Sequence, residues 1–394
     1  MKVSAPLALD PHRYTKDFVE TLCRQGAFEA AAKGCLIEIS ADGVVLDLRG
    51  AVLDGEDFTG FGIHVHDCAG VTIKNGIIKG FYYGIRASDA ANLTIENCVV
   101  SDNYNPRDRG WLTDTIDPVE EGYGGGVYLI RVTASLIKAN QFNNNFDGLC
   151  LARSSRNRIQ ENDASYNSNV GIHLVQSAHN TIERNRADHC IRYTDRFWCD
   201  TADSAGLMLE EYSHHNRVLN NRMRYSGDGF FIRANNRHGS NHNYVAGNDA
   251  SFSPNNAFEV GFSEGNAFED NIASYSNYGF WVGYSNETVV RRNLIQSNRF
   301  DGVSMESGSR NRFEANKIDG NRSGIRLWEK AVPGESQERG SDGGHKIVGN
   351  EVKNSRESGV LYPGHWDVFL GDNDFGSNRD DVRRGSAETR LETG

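Results

Sequence analysis

The 394-residue sequence has no run of 18 apolar residues, which excludes a membrane-spanning helix. Residues Met1 to Asp10 lack a charged segment followed by an apolar stretch, so no secretion signal is expected there. That leaves the cytoplasm, or the periplasm or exterior if a leader has been trimmed away. Proline is scarce at 7 residues, and apolar residues reach only 38%. A thick globular core is therefore not expected, whereas a thin core wrapped by many turns fits. Basic residues are outnumbered 42 to 53, and the formal net charge is −11. Such a surface does not displace the counterions of nucleic acid, so nucleic acid is not an expected partner. A strongly acidic polymer is disfavoured as well, unless its groove is locally basic. Phosphate-binding glycine loops and Cys-x-x-Cys pairs are missing, and no cofactor is expected. The seven cysteines are an odd number, so at least one is free or pairs between chains. Cys190 and Cys199 either bridge in an oxidising compartment or remain reduced loop thiols.

What the sequence does have is a repeat. A glycine followed by alternating apolar residues recurs as Gly148-Leu-Cys-Leu, Gly171-Ile-His-Leu, Gly206-Leu-Met-Leu, Gly229-Phe-Phe-Ile, Gly279-Phe-Trp-Val and Gly324-Ile-Arg-Leu, among others. Each is followed by an asparagine-rich half, such as Asn157-Arg-Ile-Gln-Glu-Asn162 or Asn216-Arg-Val-Leu-Asn-Asn221. Uninterrupted copies are about 22 residues apart, enough for two or three short strands joined by tight corners. Asparagine tolerates the left-handed backbone of such corners, and its amide can stack on an identical neighbour. Glycine suits positions of positive φ.

This pattern resembles the parallel β-helix repeats of the pectin-lyase-like superfamily, including the periplasmic NosD-like and right-handed β-helix region groups. The resemblance covers roughly residues 36–375. It implies an all-β, right-handed parallel β-helix of about 12 coils. It implies little about activity, because the superfamily holds lyases, hydrolases, epimerases and non-catalytic binders. Asp17, Phe18, Leu22 and the Ala27–Ala32 stretch suggest one or two short helices ending at Gly34, a cap over residues 1–35. Residues 376–394 read as a polar tail. Coils of this number also permit trimers packed along their sides.

The repeat is interrupted near 102–122, 189–203, 235–241 and 329–344. All four insertions border the glycine-started strand, as walls around a groove would. Strand alternation buries the first and third residues after the glycine and turns the second and fourth outward. The outward set then includes His173, Glu210, Phe231, Arg233, Glu259, Trp281, Glu306, Arg326 and Trp328, with Tyr284 at a strand end. Aromatic rings stack on sugar faces while carboxylates and arginines bond hydroxyls, so an oligo- or polysaccharide is the expected ligand.

Glycoside hydrolysis requires two carboxyls in opposed environments. Arg233, one coil from Glu210, is expected to lower that pKa, and Phe231 and Trp281 to raise that of Glu259. Glu259 is therefore the expected acid and Glu210 the expected base, with Asp228, Asp203 and Glu306 as substitutes. A polysaccharide lyase or epimerase is the runner-up, and a non-catalytic carbohydrate binder the rival from another class. For an epimerase the Asp-Pro-His-Asp motif is incomplete: only Asp10-Pro11-His12 occurs, and it lies in the cap. His64 and His66 share an outward face but lack a clear third ligand, so no metal site is expected.

Overall fold

The computed structural model describes residues 1–32, 34–106, 119–192, 203–234, 238–329 and 343–385, and these wind into a right-handed parallel β-helix. Among them, one 14-stranded sheet runs from Cys35–Ile39 to Asp380–Gly385 and contains the glycine-started strands. A second 14-stranded sheet runs from Leu7–Ala8 to Val368–Gly371. The third side is a four-stranded sheet at each end. Between these it thins to single bridges such as Gln141 to Asp163 and Asp163 to Arg186. The four insertions fall largely outside the described residues, as does Cys199, so the Cys190–Cys199 pairing does too.

The core is a set of columns parallel to the axis. Ile172, Leu207, Phe230 and Phe258 pair in register from coil to coil, and each is fully buried. The strand glycines do not serve the purpose expected of them. Gly171, Gly206 and Gly229 lie outside the positive-φ region. They are glycine because a Cβ on Gly171 would sit 2.6 Å from the Gly206 carbonyl oxygen, and one on Gly206 would sit 2.8 Å from that of Gly229. Close stacking of coils, rather than turning, demands them.

The asparagines also divide their expected roles. The ladder Asn140, Asn162, Asn185, Asn221, Asn248, Asn271, Asn293, Asn316 and Asn350 points inward and is not left-handed. The left-handed residues are their predecessors, including Glu161, Arg184, Asn220, Asp270 and Arg292. The amide of Asn221 shows the arrangement. Its Oδ1 accepts from the Asn185 backbone N–H at 2.9 Å and from Asn185 Nδ2 at 3.0 Å. Its Nδ2 donates to Ile182 O at 2.9 Å and to Asn248 Oδ1 at 3.0 Å. A backbone turning a corner has no strand partner, and the amides satisfy it.

The cap holds one helix, Lys16–Arg24, whose N-cap Thr15 accepts from the Phe18 N–H. The Ala27–Ala32 stretch is not helical. Leu7–Ala8 and Arg13–Thr15 already pair with the first full coil, and at the other end pairing continues to Gly385. These additions bring the sheets to 14 strands where about 12 coils were expected.

Asn221→Ala removes four buried hydrogen bonds. It is expected to cost about 3 kcal/mol, whereas Asn220→Gly at the adjacent left-handed corner should stay within about 0.5 kcal/mol. Thermal melts of the two variants check this, and equal losses would show that the inward amide has no special weight.

Candidate functional site

Register confirms the alternation on the glycine-started sheet. Cys150, His173, Met208, Phe231, Glu259, Trp281, Ser304 and Arg326 form one outward column. Val175, Glu210 and Arg233 begin a second, which Gly261, Gly283, Glu306 and Trp328 continue. Outward from the coil does not mean open to solvent, however. Glu210 is 1% exposed, His173 2% and Arg233 8%, and Asp228, Phe231, Glu306 and Trp328 are also buried. The end of the first insertion lies against this face: Arg86 donates to Glu120 O at 2.7 Å, the Tyr128 hydroxyl donates to Val119 O, and Gly124 N–H donates to the Tyr83 hydroxyl at 2.8 Å. Phe231 packs with Val170, Ala205 and Met208, so it is not a free stacking platform. The Trp328 indole donates to Ser304 at 3.0 Å.

At the centre is a chain of charges. His173 Nδ1 lies 3.1 Å from Asp147 and its Nε2 2.9 Å from Glu210. Arg233 donates to Glu210 at 2.6 Å and to Asp203 at 2.8 Å. Burial alone would lower the His173 pKa, but Cys150, Asp147 and Glu210 outweigh it and raise it well above the ordinary value. Burial likewise pushes Glu210 up, and His173 and Arg233 overcome this to hold it ionised below its usual range. Asp203 moves the other way: burial prevails over Arg233 and raises it.

Beside this chain are two carboxyls held in their neutral form. Asp228 accepts from Asn256 N–H, Asn256 Nδ2 and Asn255 Nδ2, each at 3.0 Å. Burial, together with the nearby Asp203, pushes it up to about 8 in spite of those bonds. Glu259 accepts from Asn256 Nδ2 at 2.5 Å. Burial first, then Asp228 and Asp203, raises it well above the carboxylate range. Glu259 is half-buried, as is Trp281 next to it in register. Between Arg233 and Glu306 the second column carries only Gly261 and Gly283. A Cβ at either would meet nothing closer than 3.4 Å, so a gap opens beside Glu259 and Trp281.

The remaining residues expected at the site lie beyond that gap. Glu306 accepts from the Tyr284 hydroxyl at 2.9 Å, and Tyr284 is a left-handed corner residue stacked on Phe262, outside the lane. Arg326 lies over Trp328, whose ring meets Trp281 edge-on at 5.7 Å. The structure thus brings His173, Asp203, Glu210, Asp228, Arg233 and Glu259 together. Trp281 borders the gap beside Glu259, while Glu306, Arg326 and Trp328 lie beyond it.

Sequence reasoning missed Asp147, Asn256 and Arg192. Asp147 had a signal: like Asp228 and Asp301 it immediately precedes a repeat glycine, and that position also faces outward. Arg192 lies in an insertion, where no period applies. It is 4% exposed and lines the same cleft as His173, Asp203 and Arg233, and among the described residues its Nε and Nη1 have no hydrogen-bond partner. Among the described residues one group of three metal-capable side chains converges: Asp147, Cys150 and His173. On the same sheet His66 instead lies 3.0 Å from Glu38 and 2.9 Å from Asp67, and burial lowers His64 to about 4.

The carboxyls give stability a sloped pH dependence. An unfolded Asp228 loses its proton near pH 3.9, and the folded one near pH 8. Between those values the native state retains a proton that the unfolded chain has released, so this group lowers stability as pH rises and levels off above the window. Glu210, lowered in the fold, works oppositely: its contribution is present above its unfolded pKa and lost as pH falls through the folded value. Asp228→Asn removes the first slope. Its Tm relative to the parent should climb by a few degrees from pH 5 to pH 8; an unchanging difference would mean that Asp228 is ionised throughout.

A family model described as periplasmic copper-binding protein (NosD) matches residues 26–189, 115–248 and 194–392. No curated protein matches by sequence. Among solved structures, the periplasmic alginate epimerase AlgG is 12% identical, with 94% of this chain and 85% of that chain covered at a TM-score of 0.41. The A-module of the Azotobacter vinelandii mannuronan C-5 epimerase AlgE6 is also 12% identical, with coverage of 92% and 90% and a TM-score of 0.45. An alginate lyase from Paenibacillus sp. str. FPU-7 is 10% identical, with coverage of 95% and 98% and a TM-score of 0.40. Likeness at that distance carries no argument about activity. The family model, by contrast, spans nearly the whole repeat region, and the chain belongs to the NosD family.

Proposed function

We propose that the chain is a carbohydrate-active enzyme that cleaves a glycosidic bond of an oligo- or polysaccharide by acid–base chemistry on the glycine-started sheet. One observation carries this reading: Glu259, a half-buried carboxyl kept protonated, faces the Gly261–Gly283 gap beside an ionised Glu210–Arg233 pair. A sugar ring in the gap would have Trp281 at its side and the Glu259 proton within reach of a leaving oxygen. Glu210 is not a free base, since both its oxygens are engaged and it is buried. In this reading it fixes Arg233, and Asp203 acts as base. Asp203 is bonded to Arg233 and its side chain remains 29% exposed. Its raised pKa makes it the stronger proton acceptor once ionised. Burial above all keeps Glu259 neutral, and the neighbouring acids Asp228 and Asp203 add to it.

Arg192 favours a second reading. A buried guanidinium in the cleft, two of whose nitrogens have no partner among the described residues, would neutralise a uronate carboxylate, the first requirement of a lyase or epimerase. Copper, which the family description names, finds no fitting site in the lane. Both ring nitrogens of His173 face carboxylates, and burial raises the Cys150 thiol, so the Asp147–Cys150–His173 group lacks a free imidazole and a thiolate.

Glu259→Gln should lower turnover on an active glycan by about 10²–10⁴-fold while leaving affinity within a few-fold. Released reducing ends and calorimetric binding read the two effects. Turnover surviving in Glu259→Gln would remove the acid from this scheme, and an unsaturated product detected by ultraviolet absorbance would favour the lyase. Gly261→Leu should fill the gap and abolish binding with little change in Tm, because the site has room and an ordinary φ.

A further inference from the structure

The two ends of the β-helix are finished differently. At the start, the Lys16–Arg24 helix packs Phe18, Val19 and Leu22 against the core. At the other end, among the described residues, Val368–Gly371, Asp374–Gly376 and Asp380–Gly385 are each the outermost strand of their sheet, so each has one unpaired edge. They continue the core columns: Ile347 pairs in register with Leu370, Val352 with Phe375 and Val360 with Val382. The first of each pair is fully buried, whereas Leu370 and Phe375 are only half-buried and Val382 is 40% exposed. The repeat itself stops here. A Cβ on Gly302 would sit 2.7 Å from Gly324 O, and one on Gly359 2.7 Å from Asp381 O. Asp381 takes the next place in that glycine column and carries a side chain. A further coil stacked in the same parallel manner would press its carbonyl against that Cβ.

We propose that this end docks a second copy of the chain, with the two Asp380–Gly385 strands paired antiparallel about Val382, so that two β-helices join end to end across a twofold axis. The contact lies outside the lane and owes nothing to the reaction proposed there.

Charge is the first support. The outermost strand reads Asp380-Asp-Val-Arg-Arg384. Among the described residues its charged side chains make no ion pair: Asp381 accepts from Asn378 Nδ2 at 3.0 Å, and Arg384 donates to the Tyr362 hydroxyl at 2.7 Å. Charges commonly guard a free edge, and a guard of one sign repels any second copy. Here the sign reverses at Val382, so the strand is locally neutral within a chain of net charge −11. Run antiparallel about Val382, Asp381 stands opposite Arg383 of the second copy and Asp380 opposite its Arg384. Run parallel in register, like charges would oppose each other. The backbone agrees. Gly364 N–H donates to Gly385 O at 3.1 Å, so the polar groups of Gly385 point back to the preceding coil. By alternation those of Arg383 do the same, and those of Val382 and Arg384 point to the free edge. A residue at the centre of a twofold antiparallel pair exchanges both its N–H and its C=O with its own copy, and Val382 is oriented to do so. The twofold also keeps the inner face of each sheet inside, which brings the half-buried Leu370 and Phe375 against the apolar end of the second copy. Such an interface is closed and ends at two copies, and the helix over the other end leaves no open coil there for a filament to grow from.

Sedimentation velocity of the full chain over a wide range of concentration reads the association. The mass should rise to twice that of the monomer and fall back as salt is raised. Asp381→Arg and Arg383→Asp each set like charges opposite each other at two equivalent places, and each should weaken self-association by about tenfold or more. Both positions are exposed, so the variants should fold. An equimolar mixture of the two should regain the parent's affinity, because each then faces its complement. Val382→Cys should give a disulfide-linked dimer under mild oxidation where the parent does not, since the central Cα atoms of such a pair stand about 5.5 Å apart, within disulfide reach. A parent that stays monomeric or forms trimers, reversals without effect, a mixture no better than its components, or Val382→Cys without a linked dimer would each overturn the assignment. So would a dimer that forms only after residues 386–394 are deleted, which would give the edge to that segment instead.

Discussion

Hydrogen bonds that run along the axis hold each coil to the next, and the inward asparagine amides carry that pairing around corners where strands end. Asn140 through Asn350 each bond the backbone of one coil and the amide of another. Without them, every corner would bury unsatisfied N–H and C=O groups at a cost no thin core could offset. With them, the coils stack in strict register, and the columns of side chains on each face follow from that.

The lane of charges depends on this register. Asp147, His173, Glu210 and Arg233 come from four successive coils, yet their side chains meet at 2.6 to 3.1 Å. A slip of one residue would turn all of them inward. Their sequence separation therefore costs little precision, because strand spacing brings equivalent positions together automatically.

Charge balance explains why this buried cluster is tolerable. The acids Asp147 and Glu210 meet His173 and Arg233 directly, which satisfies most of what burial would otherwise penalise. Asp228 and Glu259 lack cationic partners of that kind and retain their protons instead. Two protonation states thus coexist within a few strands, the condition for moving a proton between neighbouring groups.

The repeat, its parallel stacking and the direction of each outward side chain were legible in the sequence, because a two-residue period has one solution once one face is apolar. The pairing of Glu210 with Arg233 and the opposed environments of Glu210 and Glu259 followed from the same period. The amide ladder was legible too, although its asparagines lie one residue away from the corner positions expected for them. Burial of the lane was not legible: alternation tells inside from outside of a coil, but not whether another segment lies against the outside. Tertiary structure alone placed Val119–Gly124 over the sheet and Arg192 in the cleft, since both come from insertions that obey no period. It also decided which outward carboxyls keep their charge, because that depends on distances and dielectric between residues that the sequence only lists in order.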